Sequence, residues 1–126
     1  MDMKGRKLDH IGIATPHIED TVKWLEGLGF ETTGQFMAGE VPCHFLSNGH
    51  VTYELYQPTD MEGDAARIEH VSYFSLDIEA DYAQCVREGY TITTDEIEFL
   101  PFWENGCRFF KIGSPTGEEI EFDQIL

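Results

Sequence analysis

Apolar positions along the chain alternate between two periods. Within residues 8–14, LDHIGIA, Ile11 and Ile13 share one parity, the period of a strand; residues 18–28 place Ile18, Val22, Leu25 and Leu28 on one stripe, the period of a helix. The same switch recurs at 68–74 and 78–86, where Ile78, Tyr82, Cys85 and Val86 form the second helical stripe. Residues 8–33 and 68–93 superimpose at a constant offset of 60, so that Asp9 faces Glu69, His10 faces His70 and Gly29-Phe30 faces Gly89-Tyr90. Gly29 and Gly89 are expected just past the helix ends, where a left-handed backbone costs glycine little. Asp77 is expected to cap the second helix. Three extended stretches follow each helix, at 31–37, 42–47 and 50–56 and then at 91–98, 106–112 and 118–124. Turns are signalled by Ser47-Asn48-Gly49, Asn105-Gly106 and Ser114-Pro115-Thr116-Gly117. The polar stretch from Gln57 to Ala66 separates the halves. The pattern predicts an α+β chain, a single domain over 1–126 made of two tandem βαβββ units, 7–58 and 67–126, joined by 59–66. Each unit is too short to be comfortable alone, which predicts a shared sheet system.

Strand alternation then sorts the chemistry. Ile11 and Ile13 oppose His10, Gly12 and Ala14; Val51, Tyr53 and Leu55 oppose Thr52, Glu54 and Tyr56. Val71 and Tyr73 oppose His70, Ser72 and Phe74; Ile120 and Phe122 oppose Glu119, Glu121 and Asp123. In each case one face suits packing beneath a helix. The other carries a histidine or glutamate, mostly among small or polar neighbours, as expected of a sheet curved around a cavity. His10 and His70 are repeat-related, and Glu54 and Glu121 share their local context. Two imidazoles and two carboxylates without a thiolate suit zinc, nickel, cobalt, manganese or ferrous iron, with two octahedral positions left for substrate oxygens or water. His17, His44 and His50 carry no such pairing.

Composition narrows the alternatives. The formal charge is −16, with 8 acidic and 4 basic residues in 1–58 and 16 acidic and 4 basic in 59–126. Such a chain is not expected to bind nucleic acid or an anionic membrane surface. No apolar run approaches a membrane span, and Met1 to Arg6 is not followed by the apolar core of a secretory signal. Cys43, Cys85 and Cys107 are odd in number and lack CxxC spacing, so free buried thiols in a reducing cytoplasm are expected.

The segments LDHIGIAT (8–15), VTYELYQP (51–58), IEHVSYFSLDI (68–78) and SPTGEEIEF (114–122) resemble the vicinal oxygen chelate superfamily, the glyoxalase/bleomycin-resistance/dioxygenase fold. The resemblance runs from Leu8 to Leu126, and its second half is similar to lactoylglutathione-lyase-like proteins. It implies a curved eight-stranded cup, commonly a homodimer, with His10, Glu54, His70 and Glu121 as ligands of one divalent metal. It implies a glyoxalase I type lyase/isomerase acting through an enediolate on a small substrate with vicinal oxygens, such as a methylglyoxal-thiol hemithioacetal, with Glu54 and Glu121 as the candidate bases. Glutathione-using members usually carry an arginine after the first histidine and an asparagine after the first glutamate; here those positions hold Ala14 and Pro58. Arg108 is then the best candidate for a substrate anion contact, with Trp103 and Phe102 as pocket wall. Two alternatives stand beside this. One is a methylmalonyl-CoA-epimerase-like enzyme, against which Glu54 counts because glutamine is usual there. The other is a metal-free, acidic, drug-binding dimer of the bleomycin-resistance kind, which the charge favours and the complete ligand set opposes. An extradiol dioxygenase normally uses two histidines and one glutamate, so a fourth ligand counts against it.

Overall fold

A computed structural model describes all 126 residues. The chain packs as two compact units, Met1–Asp9 with His70–Leu126, and His10–Glu69. The elements are β1 (Leu8–Ala14), α1 (Ile18–Gly27), β2 (Glu31–Ala38), β3 (Val41–Ser47), β4 (Thr52–Tyr56), β5 (Arg67–Phe74), α2 (Ile78–Arg87), β6 (Thr91–Ile92), β7 (Glu98–Leu100), β8 (Cys107–Gly113) and β9 (Glu119–Ile125).

In the His10–Glu69 unit the strand order is β2-β3-β4-β1, antiparallel except for the β1·β4 pair, which is parallel. Val22 and Leu25 of α1 bury against Leu46 and Leu55, with Ile13, Ile18, Phe30 and Tyr53 packed around them. In the other unit the order is β5-β9-β8-β6, with β7 also on β8 and the β5·β9 pair parallel. Ile78 and Cys85 of α2 bury against Phe110 and Phe122, whose rings stack 4.9 Å apart.

Both helices end alike. After α1 the Gly29 N–H reaches Glu26 O and the Phe30 N–H reaches Leu25 O; after α2 the Gly89 N–H reaches Val86 O and the Tyr90 N–H reaches Cys85 O. This double closure needs a left-handed residue, and Gly29 and Gly89 supply φ of +97° and +81°. The starts also match. Gln57 Oε1 accepts the Ile18 N–H and Gln124 Oε1 accepts the Ile78 N–H, both at 3.0 Å. Asp77 caps α2 through the Ala80 N–H, as its sequence position predicts. At α1 the capping position is His17, whose side chain does not cap.

Three expectations change. The strand expected at 91–98 is two short strands, β6 and β7, both on β8. Ile92 faces Ile112 and Glu98 faces Phe109, so six steps along one chain oppose three on the other. The excess is taken up in a turn where Asp95 sits at φ +62°, a conformation that aspartate tolerates better than most residues. Leu28 and Val86, placed on the apolar stripes, are exposed; Asp81 lies on the buried side of α2 instead. Its carboxylate accepts from Arg6 at 2.5 and 3.0 Å and from Ser75 Oγ at 2.6 Å, so partnering accounts for its burial. Finally, the histidine-bearing face of β1 is closed: His10, Gly12 and Ala14 are buried, while Ile11 and Ile13 are only partly so. Phe45 stands edge-on to the His10 ring at 5.6 Å and supplies part of that cover.

Candidate metal centre

The parallel pair at one end of each unit's strand order, β1·β4 and β5·β9, brings the expected ligands together. In the His10–Glu69 unit Gly12 is in register with Glu54, and His10 lies one step back on the same face of β1. In the other unit Ser72 is in register with Glu121, and His70 lies one step back on the same face of β5. His10 Nε2 is 3.6 Å from Glu54 Oε1, and His70 Nε2 is 3.6 Å from Glu121 Oε2. All four residues are buried: His10 2%, Glu54 9%, His70 3% and Glu121 6% exposed.

The repeated 3.6 Å separation is long for a hydrogen bond. Two donors each about 2.0–2.2 Å from one ion stand roughly 3.0–3.5 Å apart, so each pair is spaced much as two ligands of a shared cation are. Nitrogen and carboxylate donors without sulfur fit a borderline or hard divalent ion. Each unit therefore carries half of a donor set, held on rigid strands rather than on loops.

The two halves differ around the glutamates. Across the antiparallel neighbour, Glu54 faces Phe45 on β3, whereas Glu121 faces Lys111 on β8. Across the parallel neighbour, Glu54 faces Gly12 and Glu121 faces Ser72. One glutamate thus has apolar and empty flanks, the other a cation and a hydroxyl.

Cys43, on β3, donates to Val41 O. Burial first, and the Glu54 charge second, push its thiol up to about 12. It therefore remains a protonated, non-nucleophilic thiol at neutral pH. Burial also raises the Tyr56 phenol, with a hydrogen bond to Glu69 adding to the effect. Cys85 and Cys107 are buried and outside any disulfide, as expected.

The residues expected at the substrate divide. Phe102 is buried, and Trp103 takes a backbone φ of +62°, rare for a bulky side chain. Arg108 lies on a partnered position. Strand alternation puts it with Phe110 on the α2 side of β8, where its guanidinium pairs with Glu79 at 3.1 Å. The cation on the Glu121 side is Lys111. Hairpin counting from the Ser114–Gly117 turn locates it: Gly113 pairs with Glu119, so Lys111 pairs with Glu121.

Comparison with known proteins agrees with this architecture. The model of the glyoxalase/bleomycin resistance protein/dioxygenase superfamily matches residues 9–110, and the chain belongs to that superfamily. It is similar to the uncharacterised protein YwbC of Bacillus subtilis (strain 168), with 30% identity over 126 residues, 94% of this chain and 98% of that protein. Among solved structures it resembles the hypothetical protein BH1468 of Bacillus halodurans C-125, with a TM-score of 0.80, 26% identity, and coverage of 98% of this chain and 96% of that one. It also resembles methylmalonyl-CoA epimerase of Mycobacterium tuberculosis, with a TM-score of 0.79, 17% identity, and coverage of 94% and 87%. The last likeness is one of fold.

Proposed function

We propose that this protein is a divalent-metal-dependent isomerase of the glyoxalase I type, in which His10, Glu54, His70 and Glu121 serve one ion. The observation that carries this is the repeated His–Glu pair, buried and equally spaced in both units. When bound, the ion supplies Lewis-acid polarisation of two vicinal substrate oxygens. The imidazoles hold position, His10 on β1 and His70 on β5, each strand hydrogen-bonded in parallel to the one that carries the glutamate. A glutamate carboxylate takes a proton from a substrate carbon onto a carboxylate oxygen and returns it to the adjacent carbon, the general-base role that demands reach before pKa. Burial of both carboxylates keeps water from competing for that proton.

The natural substrate class is a small molecule with vicinal oxygens, a methylglyoxal-thiol hemithioacetal being the model case. Ala14 and Pro58 stand where glutathione-using enzymes place an arginine and an asparagine, so a thiol other than glutathione fits better. The epimerase alternative uses the same proton transfer on a thioester; the fold likeness supports it and Glu54 opposes it. We infer a homodimer as the working form.

The test is turnover by nickel- or cobalt-loaded protein of hemithioacetals made from methylglyoxal with a panel of thiols, beside methylmalonyl-CoA. Isomerisation of a hemithioacetal is expected, and Glu54→Gln or Glu121→Gln should lower kcat by about 10²–10⁴-fold in at least one case. Epimerisation without hemithioacetal turnover would overturn the glyoxalase assignment.

A further inference from the structure

Ser72 is fully buried, and its hydroxyl has no hydrogen-bond partner. A buried hydroxyl without a partner is uncommon in folded proteins and calls for a reason. Ser72 lies on β5 one step beyond His70 on the same face, in register with Glu121. On the other side of Glu121, Lys111 occupies the directly opposed position of β8, half-buried and on that same face. Opposed positions of an antiparallel pair bring side chains within about 5 Å at Cβ. So a hydroxyl and an ammonium bracket the glutamate.

The counterpart positions show that this bracket is not demanded by the fold. Around Glu54 the same two positions hold Gly12 and Phe45, and that half closes without hydroxyl or cation. Lys111 is also one of only 8 basic residues, against 24 acidic ones. A single ammonium beside a hydroxyl donor suits an oxyanion that accepts from both.

We propose that Ser72 and Lys111 form an anion-recognising arm of the site, and that the substrate carries a carboxylate adjoining its pair of vicinal oxygens, as 2-oxo-3-hydroxy acids do. Ser72 Oγ–H and Lys111 Nζ–H donate to the two oxygens of that carboxylate. The arm deepens the isomerase proposal and rests on it for the placement of the vicinal oxygens, but the carboxylate contact belongs to these two side chains alone. It ranks substrates within that class: vicinal-oxygen compounds that carry a carboxylate gain the arm's contact, while neutral hemithioacetals turn over without it and bind more weakly. It also gives a use to a lysine that the strongly acidic surface would otherwise set against anionic ligands.

The test is calorimetric binding of lactate and of its neutral isostere lactamide to the full chain, cobalt-loaded and metal-free, for wild type, Ser72→Ala, Lys111→Met and Lys111→Arg. Cobalt affinity is measured on each variant alongside. Lactate is expected to bind at least about tenfold more tightly than lactamide, with most of that preference lost in Ser72→Ala and Lys111→Met and largely kept in Lys111→Arg. Equal affinity for the two ligands, no binding of either, or a preference that survives Lys111→Met would overturn the arm. Tighter cobalt binding by Lys111→Met with lactate affinity unchanged would also overturn it, since Lys111 would then only balance the Glu121 charge. If cobalt fails to bind and lactate still does so through these residues, the arm stands and the metal-dependent isomerase falls.

Discussion

At the scale of single residues, the acidic side chains separate into three kinds. Glu54 and Glu121 are buried beside a histidine each. Asp81 is buried too, but Arg6 and Ser75 saturate it, so it ties the start of the chain to α2 rather than serving chemistry. Arg6 also lies 5.3 Å from the Phe122 ring centre, adding a cation–π contact to the same anchor. Glu118 is the third kind, a fully exposed carboxylate in the Ser114–Gly117 turn. It accepts from the Ser114 and Thr116 hydroxyls, and these hold its pKa down to about 2 from 4.5. A depressed carboxylate stabilises the fold above its unfolded pKa and loses that contribution as pH falls through the folded value. The Glu118 contribution should therefore be complete above about pH 4.5 and vanish toward pH 2. Acid unfolding of Glu118→Gln, followed by circular dichroism, should show a shallower loss of stability across that window than wild type. An unchanged acid limb would show that the turn is held by its backbone bonds alone.

At the scale of elements, the repeat goes deeper than the ligands. Gln57 and Gln124 perform one task, accepting the first N–H of the helix in their own unit. Leucine at either position should destabilise the chain by about 1 kcal/mol, the worth of a lost cap. Gln124→Leu should cost the more, because its amide also donates to Leu76 O at 3.3 Å. Urea titrations of both variants and the double variant check this, with additivity expected for separate sites. These glutamines explain what was legible in the sequence and what was not. Strand–helix–glycine units show through local signals: period, cap and left-handed stop. The His–Glu pairs were legible because both members repeat in context. The glutamines also repeat, at the same offset of 67 as the glutamates, but Gln57 falls in the polar stretch that reads as a linker. Arg108 and Lys111 are near neighbours in sequence on opposite faces of β8, and only hairpin register shows that Lys111 is the one opposite Glu121. The split of 91–98 had no clear local signal; the excess residues there are absorbed by one left-handed aspartate.

At the scale of the whole molecule, the charge of −16 now has a structure. No helix is long and apolar enough to cross a membrane. Glu54 and Glu121 are two of the 24 carboxylates and lie buried, one in each unit, while Asp81 and Asp123 are buried besides. The proposed function requires the two His–Glu pairs to bind one ion together. The most direct measurement is calorimetric titration of tag-free, chelator-treated protein with cobalt or nickel. One ion per chain should bind, in the micromolar range or tighter, and His10→Ala and His70→Ala should each abolish that binding although they lie in different units. No tight binding would contradict it, and so would two ions per chain, each lost with only its own histidine.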